Sequence, residues 1–189
     1  MKVAVVGGIG TGKSTVMNII RELGGNVILT DELNRALLTD KDYIALIDAN
    51  FKGVVFDGVI DKSKLKNVIF NDEQARLKLN SLAHPRIFNM IDKMTSAKGF
   101  YFVEIPLFEE TSNTIKFDKI CAVRASINVR AQRVSIRDKI SIESALKIIE
   151  VQSNEEKVYD YADYIIENDG NYETLYQNVV DFYLQCTKR

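Results

Sequence analysis

Cysteine, proline and histidine are scarce in this chain of 189 residues, and neither sign of charge dominates it. The two cysteines, Cys121 and Cys186, stand far apart. That spacing excludes a disulfide scaffold and a cysteine metal motif, and makes a reducing, cytoplasmic compartment the simplest expectation. The single histidine, His84, makes no metal site alone, and the two prolines, Pro85 and Pro106, leave no proline-rich linker. Lys and Arg total 25 against 26 Asp and Glu, a net charge of −1, so no overall basic excess draws the chain to nucleic acid or an anionic membrane. No run is apolar for long enough to span a bilayer. The opening run Val3 to Val6 reaches a glycine pair too early for a signal peptide. What is there is 46% hydrophobic and 27% charged, enough for one sizeable core and a small inserted subdomain.

Short apolar runs alternate with longer helical ones, a pattern that predicts an α/β fold with a five-stranded parallel sheet. Val3 to Val6, Val27 to Leu29, Tyr101 to Ile105, Lys119 to Val123 and Tyr164 to Ile166 read as its strands. Lys13 to Leu23 reads as a helix stopped by Gly24-Gly25, and residues 172–186 as a closing amphipathic helix. Two helical blocks interrupt this core. Residues 32–94 are broken by a loop around Gly53 and Gly58, and residues 127–158 are polar and charged. The expected organisation is a core of 1–31, 99–125 and 160–189, an insert of about 32–98 and a lid of about 126–159. Such a layout suits a kinase that closes over a nucleotide.

Gly7-Gly8-Ile9-Gly10-Thr11-Gly12-Lys13-Ser14 fits the spacing G-x-x-x-x-G-K-[ST] between a strand and a helix. Glycines let the chain curl so that backbone N–H groups face phosphate oxygens. The helix that follows turns its positive dipole end toward the anion. Lys13 is placed to reach the β- and γ-phosphates and Ser14 to hold Mg²⁺, while Thr15 opens the helix beside them. GTPases, motor ATPases and small-molecule kinases all use this loop, and the absence of Asn-Lys-x-Asp disfavours the first.

Further residues have two readings each. Asp31 lies past the end of the second strand, on the sheet edge where ligands bind in such folds, and can equally be the N-cap of a helix starting at Glu32. Glu104 ends a strand and can order Mg²⁺ as a Walker-B acid does, or be a surface charge. Arg130, Arg133 and Arg137 fall on one helix face. Arg133 and Arg137 are assigned to neutralising the triphosphate, and Arg130 to a solvated surface. His84 with Pro85 either shapes an acceptor pocket or ends a helix with local hydrogen bonds. Asn168-Asp169-Gly170 reads as a turn.

Taken in order, several stretches resemble the dephospho-coenzyme A kinase family over most of the chain. They are GGIGTGKSTV from Gly7, the Asn26-Val27-Ile28 strand with Asp31 and Arg35, and GVIDKSKLKNVIFNDEQARLKLNSLAHPRI from Gly58. EIPLFEE from Glu104, the arginines 133 and 137, Gln152, and the Ile166–Gly170 turn continue the series. The chain departs from the family pattern at Leu29, where a second acid is frequent, at Glu104 for Asp, at Phe108-Glu109 for Leu-Phe and at Lys62 for Arg. The resemblance implies transfer of phosphate from ATP to the ribose 3′-hydroxyl of dephospho-coenzyme A, the last step of coenzyme A synthesis. It implies that Asp31 takes the hydroxyl proton, that Arg35, His84 and Pro85 contact the acceptor, and that Asn168 and Gly170 lie near the adenine. Two rival readings stay open: a kinase for another small acceptor, such as a nucleoside monophosphate or sugar acid, and a nucleotide-binding protein without turnover.

Overall fold

The computed structural model describes residues 1–105, 116–151 and 153–188. Pro106, the Phe108-Glu109 pair and Gln152 lie outside the described residues. The chain divides into two compact units, Met1–Leu29 with Ala97–Arg189, and Thr30–Ser96.

The first unit holds the expected sheet. Its strands β1 (Lys2–Val6), β2 (Asn26–Leu29), β5 (Tyr101–Glu104), β6 (Lys119–Arg124) and β7 (Tyr164–Glu167) are all parallel, in the order β2-β5-β1-β6-β7. Strands of a parallel sheet are covered on both faces and so read as unbroken apolar runs. The central β1 fits this, with Val3, Ala4, Val5 and Val6 fully buried. Helices α1 (Lys13–Glu22) and α8 (Tyr172–Thr187) cover the sheet. Val16, Ile19 and Ile20 of α1 join Val179 and Phe182 of α8 in one core with Val3, Phe102 and Val123. Phe182 sets its ring edge-on to Phe102 and Tyr164, at 5.8 and 5.2 Å, an arrangement aromatic quadrupoles favour. Both cysteines are buried and free, and burial pushes the Cys121 thiol well above its ordinary value and Cys186 up to about 11.

The polar block expected as one helical stretch is three segments. Helix α6 (Ile127–Asp138) stops where Lys139 turns left-handed at φ 54°. Helix α7 (Ile142–Val151) and a 3₁₀ stretch, Ser153–Asp160, follow. Ala131 and Val134 of α6 and Ala145 and Ile149 of α7 form a second small core, on which Ile9 also packs.

The second unit holds α2 (Thr30–Leu37), α3 (Lys41–Asn50), α4 (Lys62–Asn71) and α5 (Glu73–Met94), with α5 packed on α2 and α4. Asp40, Asp61 and Asp72 cap the last three helices, each accepting a backbone N–H of the first turn. The loop expected around Gly58 is a hairpin, β3 (Val55–Phe56) against antiparallel β4 (Val59–Ile60). Asp57 and Gly58, at φ 49° and 74°, supply the two positive dihedrals that a two-residue turn matching the strand twist requires.

Candidate active site

The loop between β1 and α1 sits at the carboxyl end of the central strand, the position that open parallel sheets use for ligands. Its hydrogen bonding explains its shape. Thr11, fully buried, donates from Oγ1 to the Gly8 carbonyl at 2.9 Å. The Lys13 ammonium donates to the carbonyls of Gly7 and Gly8, the latter at 3.3 Å. The next three carbonyls are held from outside the loop. Arg130 Nε donates to Ile9 at 3.0 Å, Arg133 Nη1 to Gly10 at 3.4 Å, and Asn168 Nδ2 to Thr11 at 2.7 Å. The Gly12 carbonyl accepts from the first turns of α1, Thr15 N at 3.0 Å and Val16 N at 3.1 Å.

Across a trans peptide, a carbonyl and the following N–H point in opposite directions. Fixing the carbonyls of Ile9 and Thr11 on one side therefore aims the N–H groups of Gly10 and Gly12 to the other. Gly12 precedes α1 in a left-handed conformation, φ 92°, and no side chain caps that helix. A Cβ at Gly12 would collide with the Asn168 amide, so the close approach demands glycine. A helix start that no side chain caps, beside the Lys13 ammonium, makes an anion cradle.

Asn168 is the node that joins three elements. Its own N–H donates to the Arg124 carbonyl at 2.8 Å, and its carbonyl and Oδ1 accept from Arg133 Nη2 at 2.9 and 3.3 Å. The neighbouring Asp169 accepts the Ser126 backbone N–H at 2.7 Å, just before α6. That hydrogen bond holds the Asp169 carboxyl below its ordinary value, with smaller help from Arg133 and Arg124. Arg124 and Glu167, register partners on β6 and β7, form a two-pronged ion pair that ties the strand ends together.

The arginines rank differently from expectation. Arg130 is not on a solvated surface: it is 1% exposed, because it lies on the same face of α6 as the buried Ala131 and Val134. Arg133 is half-buried and spans the loop and Asn168. Arg137 is exposed and pairs with Asp138 at 2.7 Å, which lowers the Asp138 carboxyl. Ser14 is exposed in the first turn of α1, Thr15 is half-buried, and Glu104 is half-buried at the end of β5, register partner of Val5 on β1. Gly170 is exposed and lies against Thr174.

The remaining residues lie in the other unit. Helix α2 starts at Thr30, so Asp31 stands inside its first turn rather than capping a helix at Glu32. Its carboxylate is exposed and makes no hydrogen bond with the described residues of its unit. Its backbone carbonyl accepts from Arg35 Nε at 3.3 Å. His84 is not at a helix end but mid-way along α5, its ring tilted against Phe88 at 5.7 Å, with Pro85 also inside the helix.

Comparison with known proteins decides the family. The family model for dephospho-CoA kinase (CoaE) matches residues 1–174. The chain belongs to the dephospho-CoA kinase family. A dephospho-CoA kinase of Fusobacterium nucleatum is 34% identical over 187 residues, covering 96% of this chain and 96% of the relative. One from Aquifex aeolicus is 31% identical, covering 99% and 98%. Among solved structures, the dephospho-CoA kinase of Campylobacter jejuni superposes with a TM-score of 0.68 at 26% identity, covering 100% and 98%. A shikimate kinase of Bacteroides thetaiotaomicron, at 13% identity and TM-score 0.58 over 96% and 95%, shares the fold. This family member is accordingly a kinase that uses a nucleotide.

Proposed function

We propose that this enzyme transfers the γ-phosphoryl group of ATP to the ribose 3′-hydroxyl of dephospho-coenzyme A, giving coenzyme A and ADP. The observation that carries the reading is the clamped loop, whose carbonyls from Gly7 to Thr11 are all engaged beside the Lys13 ammonium and the start of a helix that no side chain caps. The acceptor oxygen forms its bond to Pγ as the bond from Pγ to the ADP oxygen breaks. Asp31, exposed and mobile in role rather than buried in a hydrogen-bond net, takes the hydroxyl proton. Lys13, the loop amides, Arg133 and Arg137 oppose the negative charge on the transferring group. Arg35, His84 and Pro85 belong to the acceptor side, and unit Thr30–Ser96 is the acceptor-binding insert. Asn168 and Gly170 line the nucleotide side near the adenine, and residues 126–159 act as the lid.

Magnesium fits this donor set. Among the described residues no three His, Cys, Asp or Glu side chains gather as a ready metal cage. Mg²⁺ in such enzymes is held mainly by substrate phosphates and water with one or two protein oxygens. The exposed Ser14 hydroxyl and the Glu104 carboxylate are those oxygens. When bound, the ion neutralises charge on the β- and γ-phosphates.

No helix among the described residues is long and apolar enough to cross a membrane. Two buried free thiols support a reducing compartment, the cytoplasm, for the enzyme. The decisive test is ADP release from the purified protein with ATP, Mg²⁺ and dephospho-coenzyme A, run beside shikimate, gluconate and deoxyadenosine. Turnover with dephospho-coenzyme A alone is the expected result. Turnover with another acceptor only would replace the substrate, and tight ATP binding without turnover would favour a non-catalytic protein that has lost the acid at Leu29.

A further inference from the structure

Thr11, Arg130 and Asn168 are the buried polar side chains of the described residues, and all three bond to the phosphate loop. Two of them belong to the loop itself or to the β7 turn. Arg130 is different, because it reaches the loop from α6 with a side chain that carries a permanent charge into the interior. Burying a guanidinium is costly unless its donors are engaged. One of its donors is engaged specifically here. Nε, the donor closest to the backbone, bonds the Ile9 carbonyl at 3.0 Å. The guanidinium lies directly beneath the loop, since a Cβ at Gly8 would come within 2.5 Å of Nη2 and 3.2 Å of Cζ. The Ile9 side chain meanwhile packs on the small core that α6 shares with α7. The residue is therefore held at both ends, by its carbonyl and by its side chain.

We propose that Arg130 is a positioning residue for phosphate binding: by holding the Ile9 carbonyl outward it fixes the Ile9–Gly10 peptide and aims the Gly10 N–H at the nucleotide phosphates. The inference rests on the reading of this loop as the ATP site. Arg130 does not touch phosphate in this scheme. Its contribution passes through one peptide plane, and the part of the side chain that matters is the donor at the ε position rather than the charge.

That distinction supplies the test. Gln places its amide nitrogen at the same point along the side chain as Arg Nε, so Arg130→Gln keeps the donor and removes the charge. Arg130→Met has nearly the same shape with no donor. Arg130→Lys keeps the charge but puts carbon where Nε stood. Binding of ATP, of inorganic tripolyphosphate and of adenosine is measured for each, with the KM for dephospho-coenzyme A and the Tm. Loss of a hydrogen bond from a charged donor corresponds to roughly a tenfold or larger change in affinity. Arg130→Met is expected to weaken ATP and tripolyphosphate about that much, with adenosine and the KM for dephospho-coenzyme A within about twofold. Arg130→Gln is expected to recover most of the loss. If Arg130→Met does not fold, the comparison of Gln with Lys still decides, since the scheme requires Gln to bind ATP more tightly than Lys. Tripolyphosphate binding by Arg130→Met equal to the parent, or a Lys variant that binds better than Gln, overturns the proposal. Failure of the parent protein itself to bind ATP would instead overturn the reading of the loop, so the two failures are distinguishable.

Discussion

The two units handle polar groups in opposite ways. In the unit of Met1–Leu29 and Ala97–Arg189, the functional polar atoms are locked: Thr11, Arg130 and Asn168 are buried, and each has a named carbonyl to hold. In Thr30–Ser96 the Thr30 hydroxyl and Tyr43 are buried, but Asp31 and Arg35 are exposed. A triphosphate presents the same oxygens at every turnover, so amides fixed in advance are worth their cost in a site where water is excluded. Asp31, the proposed base, is left exposed and open to an incoming hydroxyl. The rigidity lies in the phosphate loop, and the exposure lies at the proposed base.

The strongest way to break this contrast is Asp31→Asn. If the exposed carboxylate is the base, kcat should fall by about 10²- to 10⁴-fold, while the Kd for ATP and the Tm stay near those of the parent. Losing the Asp31 charge in the first turn of α2 costs only about 0.3–1 kcal/mol of helix-dipole interaction, so an active variant would remove Asp31 from the chemistry. Lys13→Ala tests the other unit. It should cost about 10²- to 10³-fold in kcat in a protein whose far-UV CD is unchanged, and near-normal turnover would defeat the phosphate assignment.

A finer cut separates Arg133 from Arg137. Arg133→Ala frees the Gly10 carbonyl and one side of Asn168, so it should weaken ATP by roughly tenfold and lower the Tm. Arg137→Ala loses only an exposed pair with Asp138, so the Kd for ATP and the Tm should hold, while kcat should fall if its guanidinium opposes the charge on the transferring group as proposed. A change confined to the KM for dephospho-coenzyme A in either variant would put the lid on the wrong side.

The smallest effect concerns acid. The folded Asp169 carboxyl lies below its ordinary value because it accepts the Ser126 N–H. A lowered folded value means stability that is present above the unfolded pKa and is lost as pH falls through the folded one. Asn at this position keeps an acceptor but no charge. The Tm difference between the parent and Asp169→Asn should thus be small at pH 7, begin to shrink near about pH 4, and vanish only as pH falls below the lowered folded value. A gap that persists in acid would mean the charge is not what matters there.

The loop and the sheet were legible because their signals are local. Glycine spacing sets a curl, and unbroken apolar runs such as Val3–Val6 belong to covered parallel strands. The hairpin in the second unit was equally local and was passed over, since Asp57-Gly58 between Val-Phe and Val-Ile is a strong turn signal. Arg130 was a different kind of miss. Periodicity places three arginines on one face but does not say whether that face meets solvent or another element. Its neighbours Ala131 and Val134 were the available hint that this face is covered. The break in the polar block at Lys139 depends on a left-handed residue, and the stretch Ser153–Asp160 on a 3₁₀ turn, that no strong sequence punctuation marks.

The two enclosed thiols give this enzyme a built-in clock. Cys121 is fully covered at the middle of the sheet, whereas Cys186 lies near the end of α8. An alkylating reagent attacks thiolate, and neither sulfur offers it while the native packing holds. Modification must therefore wait for opening. The labelling rate at Cys186 times the fraying of the last helix, and the rate at Cys121 times the parting of the sheet itself. Mass spectrometry of the unaltered chain can read both in one experiment, with and without ATP, and whichever rate the nucleotide slows marks how far the grip on the phosphates extends into the body of the protein.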